Sequence, residues 1–203
     1  MNIGSTFVRQ SVDVDPDVLL QGLKDTLAGK TLMTDDEARA TLMKLQGEMR
    51  EKQMAKMKIE AEENKKEGDE FLAANKAKGG VVTLPSGLQY KVVTEGTGPK
   101  PKATDTVVCN YRGTLINGKE FDSSYKRGEP ATFPVSGVIK GWTEALQLMP
   151  VGSKWQLFVP ADLAYGERGP APEIGPNATL IFDVELLSIK KDEKAAEPAK
   201  KTP

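Results

Sequence analysis

Apolar side chains recur at helical spacing through the first part of the chain and at alternating spacing through the last. Leu20, Leu23 and Leu27 fall on one face of a short amphipathic helix, opened by Asp15-Pro16 as N-cap and first turn and closed at Gly29. Thr34 with Glu37 three residues on is a capping-box pattern. Ala38, Leu42, Leu45 and Met49 then follow at steps of four, three and four, so a second helix begins there. No proline interrupts it before Gly79, and a helix over 34–78 would measure ~67 Å at the standard rise. Between Lys58 and Glu70 the stretch KIEAEENKKEGDE has almost no apolar face. That predicts a solvent-bridging rod laced by pairs such as Glu62-Lys66 and Glu63-Lys66, with Gly68 as its weak point.

Beyond GGVVTLPSG the pattern changes to short strands separated by turn residues: LQYKVV, DTVVCNYRGTL, a hairpin-like NGKEF, ATFPV, SKWQLFVP and TLIFDVELLSI. In the last, Leu180, Phe182, Val184 and Leu186 alternate with Ile181, Asp183 and Glu185, the signature of a strand buried on one face. The one helix candidate in this half runs from Gly141 to about Met149, where Pro150 ends it. The prediction is an α+β chain, an all-helical N-terminal arm followed by an antiparallel sheet curled round one short helix. Its segments are a helical dimerisation domain over 1–78, a sheet domain over 79–190, and a charged, proline-containing tail over 191–203, read as disordered.

The first 50 residues are too few to bury much, yet they carry leucine and methionine stripes, so a partner is expected, as in a homodimer of intertwined N-terminal helices, the plainer alternative being that the stripes pack on the second half of their own chain. Met43, Met49, Met54 and Met57 also fit a plastic client-binding surface, with core filling as the plainer reading.

Composition narrows the chemistry. The 203 residues include one cysteine, Cys109, and no histidine. An internal disulfide, the usual zinc ligand sets and every histidine-dependent nucleophile arrangement are thereby excluded, and no cofactor motif is present. Cys109 itself, following Val107 and Val108, reads as a small structural hydrophobe. A net charge of −1 with interleaved lysines and acids gives no footprint for nucleic acid. No apolar run reaches the roughly 18 residues of a membrane span. MNIGSTFVRQ has neither the charged nor the apolar region of a signal peptide, and a processed leader would leave the same appearance.

The run VCNYRGTLINGKEFDSS, followed by VIKGWTEAL, LAYGERG and PNATLIFDVELL, resembles the FK506-binding-protein class of peptidyl-prolyl cis-trans isomerases over about Pro85 to Ile189. The N-terminal half, with LPSGLQYKVV at the junction, resembles the dimeric bacterial subgroup typified by the macrophage infectivity potentiator and FkpA.

The resemblance implies a hydrophobic pocket between the sheet and the Trp142 helix. Its walls would be Tyr111, Phe121, Phe133, Val138, Ile139, Tyr165 and Phe182 over the indole of Trp142, with Asp122 at the rim, and Asp122 and Tyr165 would be the catalytic pair. The Ile139 N–H and the Tyr165 hydroxyl would anchor substrate carbonyls, while Asp122 would act near the carbonyl carbon or orient its neighbours. It further implies proline-containing polypeptides as substrates, inhibition by macrolides such as rapamycin, and a periplasmic or outer-membrane-associated location. Ala131, where an aromatic is common, and Pro170, in place of a histidine, depart from the family pattern and bear on ligand preference.

Taken one at a time, Tyr111, Phe121 and Phe182 would pass as core residues on strands, Asp122 as an Asx-turn residue, and Tyr165 as a loop aromatic. Two other uses of the chain stay open: a holding chaperone that binds prolyl segments with little turnover, and a surface scaffold working through its helical arm.

Overall fold

The computed structural model describes residues 1–10, 12–30, 32–170 and 173–190; the tail read as disordered lies outside them. Two compact units part inside the long helix, at Lys56/Met57.

The first unit contains α1 (Asn2–Gln10), α2 (Pro16–Leu27) and the start of α3 (Asp35–Asn75). The caps form as their side chains dictate. Asp15 accepts hydrogen bonds from the N–H groups of Asp17 and Val18 at 2.9 and 3.1 Å, and Gly29 takes φ +69 just past α2. The Thr34 N–H donates to Glu37 at 2.8 Å and the Glu37 N–H donates back to Thr34 at 3.3 Å, completing the capping box. No residue of α2 is buried, and Leu20, Leu23 and Leu27 all lie open.

The second unit begins with the remainder of α3, and here the expectation of a free polar rod is corrected. Gly68 and Asn75 are buried, Phe71 packs on Phe158 with ring centres 5.9 Å apart, and Asn64 Nδ2 donates to the Pro176 carbonyl at 2.8 Å. Asn75 donates to Gln89 Oε1 at 3.0 Å, while Gln89 donates to the Leu72 carbonyl at 2.9 Å. The stretch looked solvated because several of its buried contacts are polar. Gly68 is no defect either, since a Cβ there would strike the Thr179 hydroxyl. The i,i+4 ion pair that forms is Lys65–Asp69 at 3.0 Å.

The strands are β1 (Val81–Thr83), β2 (Gln89–Thr94), β3 (Thr106–Leu115), β4 (Glu120–Ser123), β5 (Ala131–Pro134), β6 (Lys154–Val159) and β7 (Leu180–Lys190), with α4 (Ser124–Arg127) and α5 (Lys140–Leu146) between them. One antiparallel sheet runs in the order β1-β2-β6-β7-β3-β4, and β5 pairs with the first half of β3. Only the short β1 lacked a sequence signal. The alternation along β7 is realised: Leu180, Phe182, Val184 and Leu186 are buried with Val107, Cys109, Leu157 and Val159, beneath Trp142, Ala145 and Leu146 of α5. Gly141 permits that approach, because a Cβ there would meet the Val159 side chain.

Candidate functional site

The elements round α5 enclose a cavity of about 390 Å³. Strand β3 supplies Tyr111, β4 supplies Phe121 and Asp122, β5 supplies Phe133 and β7 supplies Phe182. The turn into α5 supplies Val138 and Ile139, α5 itself supplies Trp142, and the turn after β6 supplies Tyr165. All nine residues singled out in the sequence line this one space, together with Gly137.

The indole of Trp142 is only 4 % exposed. It meets Tyr111, Phe133 and Phe182 edge to face, with ring centres 5.3, 5.8 and 5.3 Å away at 90°, 84° and 85°. Phe121 continues the box, crossing Phe182 at 5.6 Å and 87°. Edge-to-face pairs of this kind fix ring orientations as well as burying area. They need a thin strand behind them, and Gly113 provides it: a Cβ there would strike both Phe121 and Phe182. The buried Trp142 N–H finds no acceptor among the described residues.

Polar groups are few. Asp122 Oδ2 accepts from the Tyr111 hydroxyl, and its Oδ1 accepts from Arg127 and from the Ser123 N–H. Burial pushes the Asp122 carboxyl upward, but those partners outweigh it and hold the group below the ordinary aspartate range. The Tyr111 hydroxyl moves upward, first through burial and then through its bond to Asp122. Tyr165, 43 % exposed at the mouth, is also shifted upward, by burial and by the Asp122 charge. The Ile139 carbonyl accepts from the N–H groups of Trp142 and Thr143 at 2.9 and 3.0 Å, while its own N–H has no backbone acceptor among the described residues. No group of three or more acidic, cysteine or histidine side chains among the described residues is arranged to hold a metal.

Residues 98–187 match the model of the FKBP-type peptidyl-prolyl cis-trans isomerases, and residues 1–92 match that of the domain amino terminal to them. The chain belongs to the FKBP-type peptidyl-prolyl cis-trans isomerases. It is 54 % identical to the outer membrane protein MIP of Legionella longbeachae, over 94 % of this chain and 82 % of that one. With FkpA of Aeromonas hydrophila it shares 50 % identity over 98 % of this chain and 75 % of the relative. The crystal structure of FkpA from Escherichia coli superposes with a TM-score of 0.79 at 43 % identity, covering 93 % of this chain and 90 % of that one. The FKBP-like α+β fold and the isomerase activity therefore stand together.

Sequence reasoning missed Arg127, Gly113 and Gly137. Arg127 has no periodic signal, and only the single turn of α4, ended by Gly128 at φ +79, folds it back onto Asp122. Gly113 was one more residue of a strand pattern, and its use depends on rings distant in sequence.

Proposed function

We propose that the cavity over Trp142 isomerises X–Pro bonds of polypeptides outside the cytoplasm, and that the chain works as a homodimer joined through its N-terminal helices. The observation that carries the site assignment is the indole floor: largely buried, ringed by three aromatic side chains, and lining the cavity. Rotation about the imide bond faces a barrier of about 20 kcal/mol from amide resonance and needs no nucleophile, proton transfer or metal. In the twisted state the carbonyl and nitrogen are no longer conjugated and the group is less polar. An apolar enclosure holds that state better than the planar one, which is catalysis by differential binding.

In this reading Trp142, Phe121, Phe133, Phe182, Val138 and Tyr111 hold the proline ring and its neighbours. The Ile139 N–H and the Tyr165 hydroxyl take substrate carbonyls, and Asp122 orders the polar wall. The arm of residues 1–78 brings two copies together and 79–190 carries the isomerisation. The open leucine stripe of α2 supports the dimer, and the N-terminal family match agrees with it. The name of the Legionella relative, outer membrane protein MIP, supports a location at the outer membrane. Macrolides such as rapamycin would compete for the cavity.

A cis-trans assay on a short prolyl peptide tests the assignment. Tyr165→Ala and Asp122→Leu are expected to lose about tenfold or more in kcat/KM with the fold intact. A wild-type chain no faster than the uncatalysed reaction, yet able to suppress aggregation of an unfolded client, would replace this reading with a holding chaperone. The exposed Met43 and Met54 are what favour that second reading.

A further inference from the structure

Arg127 does not line the cavity, yet it closes a ring of three side chains on the cavity wall. The Tyr111 hydroxyl donates to Asp122 Oδ2, one Arg127 nitrogen donates to Asp122 Oδ1, and the other donates to the Tyr111 oxygen at 2.8 Å. The Ser123 N–H adds a 2.8 Å bond to Oδ1. Both carboxylate oxygens are thus engaged before any substrate arrives, and Tyr111 has spent its only hydroxyl proton. The guanidinium carbon also stands over the Tyr111 ring, 5.3 Å from its centre. That is the ring that meets Trp142 at a right angle.

The forked guanidinium serves both partners at once, one nitrogen to each, in a fixed planar geometry that an ammonium lacks. The neighbouring cation is committed elsewhere, since Lys126 pairs with Glu120 at 2.9 Å. Without Arg127, the carboxylate beside the cavity would lose its charge partner and the Tyr111 oxygen one of its donors, so the side chains of this wall would be free to rearrange.

We propose that Arg127 is a positioning residue for prolyl isomerisation: by closing this ring it compensates the Asp122 charge and holds Tyr111 against the indole, so this polar wall of the cavity keeps one arrangement at every working pH. This rests on the reading of the cavity as the isomerising site. The groups facing Asp122 are Tyr111 from β3, Arg127 from α4, the adjacent Ser123 N–H, and Tyr165 across the mouth, whose upward shift owes part to the Asp122 charge. Taking away the guanidinium leaves Asp122 with its burial and without its cation, so its titration moves upward.

The test is kcat/KM on a prolyl peptide across pH, using the full chain. Arg127→Met keeps the aliphatic stem; it is expected to lose about ten- to hundredfold at neutral pH. It should also gain an acid-side dependence that wild type lacks. Asp122→Asn combined with Arg127→Met should remove that dependence, because the titrating group is gone. Arg127→Lys restores the charge without the fork and should recover the flat profile but only part of the rate. Lys126→Met, an equal loss of charge one residue away, should leave rate and profile unchanged. A wild-type rate and flat profile in Arg127→Met, or a dependence that persists in the double variant, would overturn the proposal. Tyr165→Ala measured alongside separates the two failures. If it is impaired while Arg127→Met is not, only the role of Arg127 falls; if both match wild type, the cavity is not the site.

Discussion

Asp122 carries opposite pressures, and their balance is measurable. Burial raises its titration, while Tyr111, Arg127 and the Ser123 N–H lower it further than burial raises it. A carboxyl whose folded value lies below its unfolded one contributes stability above the unfolded value, about 3.8, and loses it as the pH falls through the folded one. Because the group is partly open to solvent, that contribution is a modest one. Asp122→Asn should therefore show a smaller drop in Tm between pH 6 and about pH 2.5 than wild type, read by thermal melts at both values. An equal drop would mean that the ring adds nothing to stability, whatever it does for the rate. The aspartate itself was legible from FDSS and the family pattern, because a motif fixes residue types. Its partner Arg127 was not, because the pairing depends on one turn of helix folding back across five residues.

Strands declare themselves more readily than helix faces. The alternation that marks β7 in the sequence is a direct image of a sheet with one buried face, and the burial along that strand follows it residue for residue from Leu180 to Leu186. The second half of α3 is different. Its contacts with β2 and with the loop before β7 are an amide on a carbonyl, an amide on an amide, and a glycine on a threonine, none of which raises the apolar periodicity that reveals a packed helix. Phe71 was the single apolar clue. Gly68 separates the two descriptions of this stretch. On a free rod, Gly68→Ala would stabilise the helix by about 1 kcal/mol. Packed as it is, the added methyl strikes Thr179, so Gly68→Ala should lower the Tm, and Thr179→Ala in the same chain should recover most of the loss. A raised Tm for the single variant would return the rod to solvent.

At the level of the molecule, no residue lining the cavity precedes Tyr111, whereas the open leucines of α2 all precede Gly29. Small-peptide catalysis and self-association should therefore be separable, provided the cut respects the packing of α3. The full chain is expected to sediment at twice its 22.0 kDa mass, with the α2 leucines covered in the dimer. A fragment starting at Met57 should be a monomer that keeps wild-type kcat/KM on a short prolyl peptide, because it retains Asn64, Gly68, Phe71 and Asn75 against the sheet. A fragment starting at Gly79 keeps the same cavity but strips Phe71 from Phe158 and leaves the Gln89 amide without Asn75 and the Leu72 carbonyl. Uncovering an aromatic face and breaking two amide hydrogen bonds should cost it several kcal/mol, on the order of a core truncation. The shorter fragment should thus match the longer one in rate at low temperature and melt well below it in calorimetry. Equal melting of the two would show that the helix adds nothing to the sheet; loss of small-peptide activity in the longer one would show that catalysis needs the arm.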